Sequence, residues 1–195
     1  MRLFIALDIE ESIRQRIVRF MEGVREFAPE ARWVRPESLH VTLKFIGEKP
    51  AESVSSLKQA ILELQVNPFT LSVAGHGFFP SPKLPRVFWI GIEAGAELGQ
   101  LARSVDEALG RVGVPKEIHP FNPHLTLARG GGRSESAFLS NKDRRNPAFR
   151  RLQEKLSSLP QPEFGTMTAR EFFLYESKLA PGGAKYSKIE RFPLT

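Results

Sequence analysis

The 195-residue chain has no cysteine, which removes disulfides, thiolate metal sites, iron–sulfur clusters and a cysteine nucleophile from the chemistry open to it. Aspartate is nearly as scarce: only Asp8, Asp106 and Asp143 occur, far apart in sequence, which argues against an acidic two-metal nuclease centre. The longest early apolar run, Leu3 to Leu7, falls far short of the roughly 20 residues that cross a bilayer. It is also too short for a secretory leader, so a cytoplasmic location with no membrane partner is expected. No Gly-x-x-x-x-Gly-Lys-Ser/Thr phosphate loop is present. What is there is ordinary globular usage, 41% hydrophobic and 26% charged, which fits one packed domain or two lobes sharing an interface. Lys and Arg outnumber Asp and Glu by 28 to 22. The net charge of +6, carried largely by arginine, suits either a polyanionic partner or a basic housekeeping surface.

Apolar periodicity marks residues 2–9 as a buried strand, and Asp8 with Glu11 three positions later suits a helix cap. Ile13, Ile17, Phe20, Met21, Val24 and Phe27 recur at helical spacing, with Arg14, Arg16, Arg19 and Arg25 between them as a solvated face. Further strands are expected over 39–46, 69–79, 86–93, 121–129, 163–179 and 184–192. Helices are expected from Val54 to Leu64, from Leu98 to Val112 and from Asn146-Pro147 to Leu159. An offset of 84 sets His40-Val41-Thr42-Leu43 on His124-Leu125-Thr126-Leu127, the helix at 11–27 on 95–111, and Arg2-Leu3-Phe4 on Arg86-Val87-Phe88. Residues 1–195 therefore read as one bilobal domain, an approximate repeat of 2–83 and 86–179 closed by a strand at 184–192. Gly130 to Arg145 is an insertion in the second half. The expected class is α+β: two pseudo-symmetric lobes, each an antiparallel or mixed sheet flanked by helices, around a central cleft.

The repeated His-x-Thr-Leu carries the chemistry. With four His and six Thr in the chain, chance gives about 0.12 His-x-Thr matches, and two occur, each in a strand-like apolar frame. Alternation puts His40 and Thr42 on one face, about 7 Å apart. Val41, Leu43 and Phe45 then face the other way; His124 and Thr126 repeat the pattern. A lone match of this kind is usually packing, but a duplicated one lines a cleft with two imidazoles and two hydroxyls. Two imidazoles near neutral pH can act as general base and general acid on opposite sides of a phosphorus. The hydroxyls of Thr42 and Thr126 can donate to its non-bridging oxygens. Arg129 is the nearest cation in sequence for the developing charge, although strict alternation sets it opposite His124, so it reaches the cleft only if the strand bends before Gly130. His119, five residues before His124 and separated from it by two prolines, has no standard ligand spacing for a metal. His76, between two glycines, reads as a strand or turn residue. Arg133, Lys142, Arg144 and Arg145 in the insertion offer phosphate contacts or, equally, a solvated loop.

These residues resemble the two-histidine phosphoesterase superfamily, and within it the bacterial and archaeal RNA 2′,3′-cyclic phosphodiesterases, once called 2′-5′ RNA ligases. The match runs through Arg2-Leu3-Phe4-Ile5-Ala6, the stretch from Trp33 to Gly47, Gly75 to Pro80, Arg86-Val87-Phe88-Trp89, Phe121 to Arg129, and Leu174-Tyr175-Glu176-Ser177 on to Tyr186. The resemblance implies a bilobal α+β fold and a reaction without metal or other cofactor that opens a terminal 2′,3′-cyclic phosphate to a 2′-phosphate. It further implies that His40 is the proton donor to the departing 3′-oxygen and His124 the acceptor that activates water. Thr42, Thr126 and Arg129 would bind the phosphate. The substrate would be RNA with a cyclic end or a small cyclic nucleotide, with no obligate protein partner. His119 before Pro120 departs from the Lys or Arg expected there. An ATP-independent 2′-5′ ligase would use the same residues, and a non-enzymatic RNA-binding module is the remaining alternative.

Overall fold

The computed structural model describes residues 1–130, 147–180 and 183–195. β1 (Arg2–Leu7) is apolar after its first residue because both its faces are covered. Leu3, Ile5 and Leu7 enter the main core, while Phe4 and Ala6 join Phe173 and Tyr175 in a second, smaller cluster. α1 (Glu11–Val24) buries Ile13, Ile17, Met21 and Val24, one helical stripe. A 3₁₀ turn follows, then β2 (Arg32–Trp33) and β3 (Val41–Glu48). α2 (Val54–Leu62) leads to β4 (Phe69–Phe79) and β5 (Val87–Ala94), then α3 (Ala96–Arg111) and β6 (His124–Arg129). α4 (Arg150–Ser157) precedes β7 (Glu163–Ala169), β8 (Glu171–Ala180) and β9 (Gly183–Pro193).

The strands form two sheets, ordered β3-β1-β8-β9 and β2-β6-β5-β4-β7, antiparallel at every pairing. The α+β, two-sheet expectation stands, but the sequence halves are not the lobes. β4, from the first half, pairs with β5 across a proline-rich turn, and β8 and β9, from the second, extend the sheet begun by β1. The single strand expected over 163–179 is two strands in different sheets, with the crossing at Arg170; no glycine or proline stands there to mark the change of partner. The strand expected to start at Phe121 starts at His124, since Pro123 has no N–H to give a ladder.

β3 and β6 share a detail that places the site. In the β1–β3 ladder Ile5 pairs with Lys44 and Ala6 with Thr42, so Leu43 is passed over. In the β5–β6 ladder Phe88 pairs with Ala128 and Trp89 with Thr126, so Leu127 is passed over. Each is a β-bulge, where one extra residue sets two consecutive side chains on one face. Leu43 and Lys44 are accordingly both buried, as are Leu127 and Ala128. The next residues, Phe45 and Arg129, are exposed. Phe45 therefore lies on the cleft face, not on the core face that simple alternation predicts. The same registers align Ala6 with Trp89, an offset of 83; the offset of 84 on this strand would equate Phe4, in the small cluster, with Phe88, in the main core.

The sheets meet along β3 and β6. Lys44, only 5% exposed, crosses to α3, where its Nζ donates to Asp106 Oδ1 at 2.6 Å, and to the segment after that helix, where it donates to Pro115 O at 2.7 Å. Burial pushes the Asp106 carboxyl up, but Lys44 and the Glu117 N–H outweigh it and hold the carboxyl below its ordinary value.

Candidate active site

His40 stands at the entry to β3 and His124 at the start of β6, and each is tethered in the same way. His40 Nδ1 lies 2.7 Å from Ser38 O, and His124 Nδ1 lies 2.7 Å from Asn122 O. A carbonyl only accepts, so Nδ1 carries the hydrogen in both rings and Nε2 is the nitrogen left for chemistry. Thr42 and Thr126 follow two residues on, half-buried, opposite Ala6 and Trp89 in their ladders.

Aromatic rings wall both imidazoles. His40 has Phe4 at 4.9 Å, Tyr186 edge-on at 5.2 Å and Tyr175 at 6.2 Å. His124 has Phe79 edge-on at 4.9 Å and Trp89 at 6.4 Å. This apolar lining disfavours the imidazolium. Burial is the main force pushing His40 down to about 4, with Arg129 and His124 adding to it and the Ser38 carbonyl and Asp8 carboxylate opposing. His124 is lowered too, by burial first and by Arg129, against the Asn122 carbonyl. Both rings are therefore neutral at pH 7 in the free protein.

Arg129 thus acts on both histidines, and the Leu127 bulge explains how. Arg129 pairs with Val87, which alternates along β5 with Trp89 and Gly91, the partners of Thr126 and His124. The bend required for Arg129 to reach the cleft is this extra residue. Its counterpart in the other sheet is Phe45, 62% exposed, its ring 6.2 Å from Phe4.

A second asymmetry concerns the residue beside each histidine. Gly91 pairs with His124, and a side chain there is excluded because a Cβ would meet Ala74 O at 2.7 Å. Beside His40, one step past the Leu7–Val41 pair, is Asp8. Asp8 is not a helix cap: α1 starts at Glu11 without a side-chain cap. Asp8 instead takes Arg14 Nη2 at 2.5 Å, Lys188 Nζ at 2.6 Å and the Ile9 N–H at 2.9 Å. Burial pushes its carboxyl up, and these donors together outweigh that and hold it down. Arg14 is not part of a solvated face either, since its Nη1 donates to Pro36 O at 2.6 Å, pinning the turn that presents Ser38 O to His40. Asp8, Arg14 and Phe45 escaped sequence reasoning. Only the bulge count and the ladder register expose Phe45 and Asp8.

His119 is exposed, away from any such arrangement, and its backbone N–H donates to Glu117 Oε1. His76 turns to the core side of β4, 6.1 Å from Phe88. Among the described residues no three His, Asp or Glu side chains converge as a metal site. Arg133, Lys142, Arg144 and Arg145 lie outside the described residues.

The sequence pattern of the LigT like phosphoesterases matches twice, over residues 7–89 and 90–186. An RNA 2′,3′-cyclic phosphodiesterase of Archaeoglobus fulgidus is 35% identical over 98% of this chain and 99% of its own. One of Methanothermobacter thermautotrophicus is 31% identical over 99% and 98%. Crystalline E. coli LigT complexed with 3′-AMP superposes with a TM-score of 0.77 at 29% identity, covering 100% of this chain and 98% of that one. No helix among the described residues is long and apolar enough to cross a membrane.

Proposed function

The chain belongs to the LigT-like phosphoesterase family, and from that premise we propose that it hydrolyses the 2′,3′-cyclic phosphate at the end of an RNA strand to a 2′-phosphate. The observation that carries this reading is the matched tether of His40 and His124, which leaves two Nε2 atoms free across one cleft. His124 Nε2 takes a proton from water as its oxygen bonds to phosphorus. The bond from phosphorus to the 3′-oxygen breaks, and His40 Nε2 gives that oxygen its proton. Thr42 and Thr126 donate to the non-bridging oxygens, and Arg129 balances the charge that builds on them. Because both imidazoles are neutral in the free protein, His40 gains its proton as the anionic phosphate arrives, an uptake that Asp8 favours. Phe45 offers an exposed ring on the cleft face against which a base can stack. The setting is the cytoplasm, and no protein partner is needed. We further read 2–83 and 86–179 as copies of one ancestral unit, supported by the double family match and the shared bulge.

The test is incubation with a nucleoside 2′,3′-cyclic phosphate in EDTA, followed by mass spectrometry and phosphorus NMR. The expected product is the 2′-phosphate; a 3′-phosphate, or an unchanged substrate, contradicts the reading. Joined 2′-5′ products from cyclic-ended RNA would favour the ligase alternative.

A further inference from the structure

The two-residue strand β2 is firmly anchored for its length. Trp33 Nε1 donates to Ala28 O at 3.0 Å, the indole packs edge-on 6.0 Å from Phe88, and Val34 N–H donates to Leu127 O at 2.8 Å. With Trp33 directed into the core beside Phe88 and Ala128, its neighbour Arg32 takes the opposite, cleft-side face. There Arg32 is opposite Arg129, and Arg129 opposite Val87, so the two arginines and Val87 form one cross-strand row. Like charges directly opposite destabilise a sheet. Among the described residues, no carboxylate forms an ion pair with either one. The middle of the row, Arg129, acts on the two histidines; the Arg32 end reaches the open edge of the sheet.

We propose that Arg32 binds the 5′-phosphate of the nucleotide whose 2′,3′-cyclic phosphate lies at Arg129. This rests on the reading of the cleft as a cyclic phosphodiesterase site. The geometry follows from the substrate, since a terminal nucleotide carries only one other phosphate, on its 5′-oxygen. Neighbouring strands are about 4.8 Å apart, and an arginine side chain reaches further than that, so the second guanidinium can meet the next phosphate along the strand. A doubly anionic substrate relieves the repulsion of the pair, and the protein takes RNA ends in preference to bare cyclic nucleosides.

The experiment compares kcat/KM for adenosine 2′,3′-cyclic phosphate, for the same compound bearing a 5′-phosphate, and for a dinucleotide with a cyclic end. Wild type should favour the two substrates with a 5′-phosphate by about tenfold in low salt, a preference that salt erodes. In Arg32→Ala the ratio should fall to near one, and in Arg32→Glu below one. A ratio unchanged in Arg32→Ala, or no preference in wild type, overturns the proposal. Equal preference for both 5′-phosphorylated substrates marks the phosphate itself as the recognised group. Failure of wild type to turn over any of the three overturns the cyclic phosphodiesterase reading, and the proposal with it.

Discussion

Leu43 and Leu127 stand at the same place in two strands: each is passed over by its neighbouring strand, and each turns the next exposed side chain into the cleft. In one sheet that side chain is Phe45, in the other Arg129. The bulges thus add an exposed aromatic ring on one side and a cation on the other, although the two His-x-Thr-Leu motifs are nearly identical.

Arg129 lowers the proton affinity of both histidines. Arg129→Ala should raise both imidazole pKa values, measured by NMR titration, and lower kcat by about 10²–10³ through loss of charge stabilisation at phosphorus. Unmoved histidine titrations would put Arg129 outside the cleft.

Asp8 acts in the opposite sense and on His40. The free protein needs one proton on the pair, so the pH profile of kcat/KM should be a bell. Its acid limb lies near pH 4, from His40, and its alkaline limb below 6.5, from His124. Asp8→Asn keeps an acceptor for Arg14 yet removes the charge. The acid limb should move lower and the plateau should drop, with the alkaline limb in place. Movement of the alkaline limb alone would assign Asp8 to His124.

Lys44 and Asp106 tie β3 to the helix packed against it, α3. Asp106→Ala strands a buried ammonium and should cost about 3 kcal/mol in urea unfolding, whereas Lys44→Met should stay within about 1 kcal/mol of wild type. The Asp106 carboxyl is held below its ordinary value, so its contribution is full above pH 4 and lost as the pH falls through the folded value. Asp106→Ala should therefore lose less stability in acid than wild type does. Equal losses for Asp106→Ala and Lys44→Met would show no stranded charge.

Much of this was legible in the sequence. Helix α1 is written in the spacing of Ile13, Ile17, Met21 and Val24, and the histidines in a motif too rare to recur by chance. What was hidden depends on which strand pairs with which. The bulges at Leu43 and Leu127 exist only relative to a neighbour, so Phe45 and Arg129 read as facing away. The change of sheet at Arg170 has no glycine or proline to announce it. Asp8, three residues before Glu11, looks like a cap until Lys188, 180 residues away, claims it.

The most direct test of the account is the separate role of the two histidines. A cyclic substrate with sulfur in place of the 3′-oxygen has a leaving group that departs without a proton. With the natural substrate, His40→Ala should lose about 10²–10⁴-fold in kcat, and the 3′-thio substrate should restore most of it, while His124→Ala gains little because water must still be activated. Rescue of His124→Ala in place of His40→Ala, or equal rescue of both, would contradict the division of acid and base between them.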